Sequence, residues 1–224
     1  MDNSKIFIII PAYNEEKNIG AVLDKLKPYG YSVAVVDDGS SDRTAAIAAL
    51  HGVDVLRHRV NRGQGAALET GNQYALASNA EIIVHFDADG QFLAEEIFSV
   101  VEPLLDGQAD IVFGSRFLGI RSKIPAVKKY LIFPLARLIN RLFFDVGLTD
   151  PQSGFRAFLA SAAQDLAIEN DGMAHCSEIL AKAYGHSLRI KEVPITVLYT
   201  RFGQSFGGGF RILADLLISK LISK

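Results

Sequence analysis

Residues 81–91 read Glu81-Ile82-Ile83-Val84-His85-Phe86-Asp87-Ala88-Asp89-Gly90-Gln91. The apolar run has the length and β-branching of a buried strand, and the polar residues after it mark the strand's carboxyl end. In an extended chain, side chains two apart point to the same side, so Asp87 and Asp89 look out together. Two carboxylates about 6 Å apart repel by about 3 kcal/mol at an effective dielectric of about 20. A hard divalent cation between them turns that repulsion into chelation. A strand end whose acids merely cap the next helix explains this stretch equally well on its own, so the surrounding chain must decide.

Upstream, residues 6–10 form a continuous apolar strand closed by Pro11-Ala12-Tyr13-Asn14-Glu15. A helix follows with Ile19, Val22, Leu23 and Leu26 on one face, ending near Pro28 and Gly30. Then come a strand at 33–36, the turn Asp37-Asp38-Gly39-Ser40-Ser41-Asp42, an Ala-rich helix at 44–50, a strand at 53–56 and a helix at 65–77. Downstream, a helix at 93–105 precedes strands at 110–113 and 188–194. Apolar strands joined by helical crossovers predict an α/β fold, a mostly parallel doubly wound sheet with helices on both faces. Such sheets bind ligands at the carboxyl ends of their strands. Tyr13-Asn14-Glu15, Asp37-Asp38, Asp87-Ala88-Asp89 and Ser115-Arg116 all fall there. Any one of them reads as a turn or helix cap; four on one rim point to a site. No Gly-x-Gly-x-x-Gly fingerprint or Gly-Lys-Ser/Thr phosphate loop follows a strand. A diphosphate bound here needs another cation, which a metal on Asp87 and Asp89 would supply.

Composition narrows the partners. With 224 residues, 49% of them apolar, the chain can bury one sizeable core. A net charge of −2 and the lack of nucleic-acid-reading motifs argue for no nucleic-acid partner. The single cysteine, Cys176, excludes an internal disulfide and a cysteine-based zinc site, and fits a reducing compartment. Met1-Asp2-Asn3-Ser4-Lys5 lacks a signal-peptide layout, and no apolar run approaches the roughly 18 residues of a spanning helix. The expectation is a cytoplasmic protein, peripheral at the inner face of the membrane. Residues 120–144 set Arg121, Lys123, Lys128, Lys129, Arg137 and Arg141 among apolar side chains, with Pro134 to kink or split the helix. This suits a helix lying in the headgroup layer; a core helix with a solvated face or a homodimer surface is the alternative. Arg137 and Arg141 share a face and could receive an acceptor phosphate. Near the C-terminus, Phe210, Leu213, Leu217 and Leu221 form a stripe widened by Ile212, Leu216, Ile218 and Ile222. A helix this apolar must pack on the domain, on another chain or on a bilayer.

Ile9-Ile10-Pro11-Ala12-Tyr13-Asn14-Glu15, the Asp37-Asp38-Gly39-Ser40-Ser41-Asp42-Arg43-Thr44 turn and Phe86-Asp87-Ala88-Asp89-Gly90-Gln91 resemble family 2 glycosyltransferases of the GT-A fold. Asn61-Arg62-Gly63-Gln64-Gly65, Phe113-Gly114-Ser115-Arg116-Phe117 and Asp150-Pro151-Gln152-Ser153-Gly154-Phe155-Arg156 are similar to the dolichol-phosphate mannose synthase-like branch. That branch moves a sugar from a nucleotide donor to a polyprenyl phosphate, and the likeness runs from about residue 6 to residue 205. It implies a GT-A domain over 1–206, with a nucleotide-binding half at 1–117 and an acceptor half at 118–206, then an amphipathic helix at 207–224. The donor would be a GDP- or UDP-sugar carrying mannose or a glucose-like hexose. Pro11, Tyr13, Glu15, Val36 and Asp38 would hold its base and ribose. Asp87, Ala88, Asp89 and Gln91 would surround the diphosphate and a Mg²⁺ or Mn²⁺ ion, with Asp87, Asp89 and Gln91 as ligands. Arg116 and Arg201 would neutralise the departing diphosphate, and Ser205 would lie near the phosphates in the Gly-rich loop at 199–209. Glu178 would see the sugar. Position 64 departs from the pattern: Gln64 stands where these enzymes usually carry Lys or a similar cation, which removes one possible donor-phosphate contact.

Asp150 bears on the mechanism. For a hydroxyl acceptor, it is the candidate general base. A lipid phosphate is already largely ionised at neutral pH, with a second pKa of about 6. Asp150 would then only order the acceptor loop with Ser153 and Arg156. His175 and Cys176 read as packed residues at a helix start, and His85 as a buried, hydrogen-bonded imidazole. Transfer to a hydroxyl in surface-polysaccharide synthesis is the second reading. A nucleotidyltransferase or a silent nucleotide-binding module is the third.

Overall fold

The computed structural model describes residues 2–118 and 148–198. Arg137, Arg141, Arg201, Ser205 and the expected helices at 120–144 and 207–224 lie outside the described residues. Within them, the strands are β1 (Ile6–Ala12), β2 (Ser32–Asp37), β3 (Asp54–Arg57), β4 (Ile82–His85), β5 (Ile111–Ser115), β6 (Arg156–Leu159) and β7 (Ile190–Pro194). They form one seven-stranded sheet in the order β3-β2-β1-β4-β6-β5-β7. The helices are α1 (Ile19–Leu26), α2 (Thr44–Leu50), α3 (Gln64–Ala77), α4 (Ile97–Leu105) and α5 (His175–Gly185).

β1 is buried along its whole length because both faces of the sheet are covered. Ile6, Ile8, Ile10 and Ala12 join a core with Val22, Leu23 and Leu26 of α1 and with Ile97, Val100, Val101 and Leu104 of α4. Phe7 and Ile9 point the other way, into a second core with Ala67, Leu68 and Ala75 of α3 and Ile179, Leu180 and Ala183 of α5. The period-two alternation along one strand thus separates two cores. β1 runs two residues past the expected end and takes in Pro11. The missing N–H does no harm there, because β1 pairs with β4 only as far as Ile9 and His85 while continuing beside β2 through Pro11 and Val36. The expected helix at 93–105 divides into a 3₁₀ turn, Ala94–Glu96, and α4.

α3 has no strongly apolar stripe and packs by close approach instead. A Cβ on Gly71 would stand 2.1 Å from Ile9 Cγ2. Gly71→Ala must therefore push α3 off β1, and overpacking of this kind costs about 1–3 kcal/mol. The expected result is a lower midpoint in urea with an unchanged slope, measured by circular dichroism.

The sheet departs from the parallel expectation at one place. β6 runs antiparallel between β4 and β5, with His85 opposite Arg156 and Phe113 also opposite Arg156. Its first residue therefore lies at the carboxyl ends of both neighbours. The preceding loop, residues 148–155, is delivered to the same rim as Asp87, Asp89 and Ser115. This is how Asp150, far away in sequence, enters the site.

Candidate active site

The acid loop rests on an aromatic floor. Phe86, Phe92 and Phe155 are buried and meet with ring centroids 5.0–5.7 Å apart. They fix both ends of the segment carrying Asp87, Asp89 and Gln91. Asp89 Oδ1 accepts the Gln91 N–H at 2.9 Å, and Gln91 O accepts the Leu198 N–H at 2.9 Å. Asp87 Oδ1 accepts from Gln64 Nε2 at 3.0 Å.

Loss of solvent, and then the neighbouring charge of Asp89, push the Asp87 carboxyl up to about 7. The Asp89 carboxyl is also raised, by burial. Two acids whose ionisation is disfavoured, bearing only oxygen donors, fit a hard divalent cation. Among the described residues, no three His, Cys, Asp or Glu side chains gather to hold an ion. Gln91 and donor phosphate oxygens would complete the shell, as is usual where one or two carboxylates bind Mg²⁺. Below about pH 7 a proton competes with the cation for Asp87. The expected result is that Mn²⁺ affinity, measured by calorimetry with UDP present, falls as pH drops below about 7, more steeply once Asp89 also takes a proton, and levels off above about pH 7.

The β1 and β2 turns are stitched together. Asn14 N–H donates to Ser40 Oγ at 2.9 Å, Glu15 N–H to Thr44 Oγ1 at 2.8 Å and Glu16 N–H to Asp42 Oδ2 at 3.1 Å. Tyr13 stays half exposed on this rim, whereas Pro11, Val36 and Ala88 are buried beneath it. Glu15 Oε2 accepts from Asn18 Nδ2 at 2.6 Å. Asp38 is held by its own chain: Oδ1 meets His58 Nδ1 at 2.6 Å and accepts Arg62 N–H at 2.9 Å, while Oδ2 accepts Gly63 N–H at 2.7 Å. Asp38 therefore anchors the loop 58–63. His58 has no local signal in the sequence; its role appears only when β3 is laid beside β2.

On the far side of the acids, Asp150 is buried and takes three donors from Arg116. These are the N–H at 3.1 Å, Nε at 2.6 Å and Nη2 at 2.6 Å. Glu192 of β7 holds the loop in turn, accepting the Thr149 and Asp150 N–H groups, each at 2.8 Å. Arg116 and Asp150, expected to act separately on diphosphate and acceptor, thus form one bidentate pair.

Three of the expected site residues are engaged by the protein's own elements. Arg156, expected to order the acceptor loop with Asp150 and Ser153, is fully buried, with Nη2 3.1 Å from Cys176 Sγ and its guanidinium over the Phe113 ring. The pairing of β6 between two central strands puts it in the core. Ser153 is buried as well, with Oγ towards Phe155 O. Glu178 accepts the Glu169 and Asn170 N–H groups at 2.8 and 2.9 Å and pairs with Lys182, so it braces the 168–171 loop. His85 and His175 are buried as expected, and His85 Nε2 lies 2.8 Å from Asn72 Oδ1. Burial, then the charges of Arg156 and His175, hold His85 neutral.

The family model for glycosyl transferase family 2 matches residues 7–167. The chain belongs to this family. This family 2 glycosyltransferase is 41% identical to an uncharacterised protein of Methanocaldococcus jannaschii, over 99% of this chain and 94% of that protein. It is 34% identical to the UDP-N-acetylglucosamine–dolichyl-phosphate N-acetylglucosaminyltransferase of Methanococcus voltae, over 99% of this chain and 98% of that enzyme. Among solved structures, it is similar in fold to Mycobacterium tuberculosis glucosyl-3-phosphoglycerate synthase in complex with Mn²⁺, UDP-glucose and phosphoglyceric acid. The TM-score is 0.72 at 23% identity, covering 95% of this chain and 78% of that one. The glycosyltransferase uses a nucleotide-sugar donor. Among its described residues, no helix is long and apolar enough to cross a membrane.

Proposed function

We propose that this enzyme transfers a hexose, with inversion, from a nucleoside diphosphate sugar to a polyprenyl phosphate at a membrane surface. A phosphate oxygen of the acceptor attacks the anomeric carbon. The bond from that carbon to the donor's diphosphate oxygen breaks on the opposite face, and the nucleoside diphosphate leaves with the electron pair. The observation that carries this reading is the Arg116–Asp150 pair. Asp150 accepts three hydrogen bonds from Arg116 through both of its oxygens, so the carboxylate is committed to the guanidinium rather than turned towards an acceptor hydroxyl. An acceptor that arrives ionised needs no base. Further support comes from relatives named for polyprenyl-phosphate acceptors. Besides the Methanococcus voltae enzyme, the polyprenol monophosphomannose synthase of Mycolicibacterium smegmatis is 28% identical, over 93% of this chain and 83% of that enzyme.

In this reading, Asp87, Asp89 and Gln91 hold a Mg²⁺ or Mn²⁺ ion beside the donor diphosphate. A bound divalent cation supplies positive charge where the leaving group becomes negative. Pro11, Tyr13, Glu15, Val36 and the loop anchored by Asp38 form the nucleoside cradle, and Ala88 lies with the acids beside the diphosphate. Arg116 meets the diphosphate from the β5 end. Arg201 is assigned to the same phosphates, and Arg137 and Arg141 to the acceptor phosphate.

The test supplies radiolabelled UDP-N-acetylglucosamine, UDP-glucose or GDP-mannose with Mn²⁺ and a polyprenyl phosphate in detergent. The expected result is label in the organic phase with one donor, released as free sugar by mild acid. Label confined to a water-soluble glycan would favour a hydroxyl acceptor.

A further inference from the structure

Gln64 is the first residue of α3, and its Nε2 donates to Asp87 Oδ1 at 3.0 Å. On the other side of the same carboxylate stands Gly154, where a Cβ would lie 2.7 Å from Asp87 Oδ2. Asp87 is thus gripped between the start of α3 and the loop entering β6, and its oxygens have little freedom to turn. The charges acting on it are mixed. Asp89 and Cys176 add negative charge; Arg156 and His175 oppose it. Arg156 is already engaged by Cys176 Sγ at 3.1 Å. The amide of Gln64 adds a hydrogen bond and no charge, so it orients the acid without neutralising it.

We propose that Gln64 is a positioning residue that makes nucleotide binding depend on a divalent cation, by orienting Asp87 while leaving the acid pair's charge for the cation to balance. This rests on the reading of Asp87 and Asp89 as the metal site of the proposed function. An ammonium at position 64 would bring a resident positive charge to the acids and to a diphosphate beside them, and so would lessen the dependence.

The experiment measures UDP and GDP affinity calorimetrically, in EDTA and in saturating Mn²⁺, for the wild type, Gln64→Lys and Gln64→Met. The wild type should bind one of the nucleotides at least about a hundredfold more tightly with Mn²⁺. In Gln64→Lys that ratio should shrink at least about tenfold, chiefly because binding in EDTA tightens. Gln64→Met keeps the volume but neither donates nor carries charge. It should bind no more tightly in EDTA and lose only a few-fold of the Mn²⁺ effect. An unchanged ratio in Gln64→Lys overturns the inference, as does an equal change in both variants. A wild type that gains nothing from Mn²⁺ with either nucleotide contradicts the metal reading itself, a failure distinct from the first.

Discussion

Asp89→Asn is expected to lower turnover by about a thousandfold or more, with the fold intact. Charge developing on a departing diphosphate is stabilised chiefly by cations already in place, and losing about 4 kcal/mol of that stabilisation corresponds to a factor of about a thousand. Asp87→Asn should be as severe for the reaction and should also stabilise the protein without metal at high pH. The Asp87 carboxyl is raised to about 7 in the folded chain, by burial first and by Asp89 second. Between its ordinary value and about 7, the folded state holds a proton that the unfolded state has released. The stability contributed by that proton is complete at low pH and is lost as pH rises through about 7. Asp87→Asn removes this loss. In EDTA, its thermal midpoint should exceed that of the wild type at about pH 8 and match it more nearly at about pH 5. Scanning fluorimetry at both pH values checks the sign, and a midpoint lowered equally at both would contradict it.

Asp150→Asn is expected to separate stability from chemistry. The carboxylate is 2% exposed and joined to Arg116 through both oxygens, while the Arg116 side chain is 23% exposed. Removing the charge of a fully buried partner costs about 3–5 kcal/mol; partial solvent access to the guanidinium reduces this to about 2 kcal/mol. The midpoint should fall by about 5 °C for a domain of this size. Turnover with a polyprenyl phosphate should nevertheless stay within about tenfold of the wild type. Loss of a general base costs about a hundredfold to ten-thousandfold. A loss of that size with donor binding unchanged would make Asp150 a base and the acceptor a hydroxyl.

The parts of the fold that the sequence discloses are the locally encoded ones. Apolar runs such as Ile82-Ile83-Val84 and the Asp-, Gly- and Ser-rich turns after them mark the strands and their ligand-facing ends without knowledge of what pairs with what. β6 escapes such a reading. Its four residues, Arg156–Leu159, carry no distinctive period, and their antiparallel place between β4 and β5 is a long-range choice. That single pairing accounts for the burial of Arg156. The side-chain partners in the site are similarly non-local. His58 and the 62–63 backbone satisfy Asp38, Gln64 reaches Asp87, and Glu192 steadies the Asp150 loop. Acid positions are readable from a motif; the donors that orient them come from elements folded against it.

The most direct test of the central claim is an anomalous difference map from crystals grown with Mn²⁺ and UDP, recorded near the manganese edge. A peak between the Asp87 and Asp89 carboxylates, in contact with the diphosphate, is the result predicted. Bound UDP with no anomalous peak between the two carboxylates would contradict it.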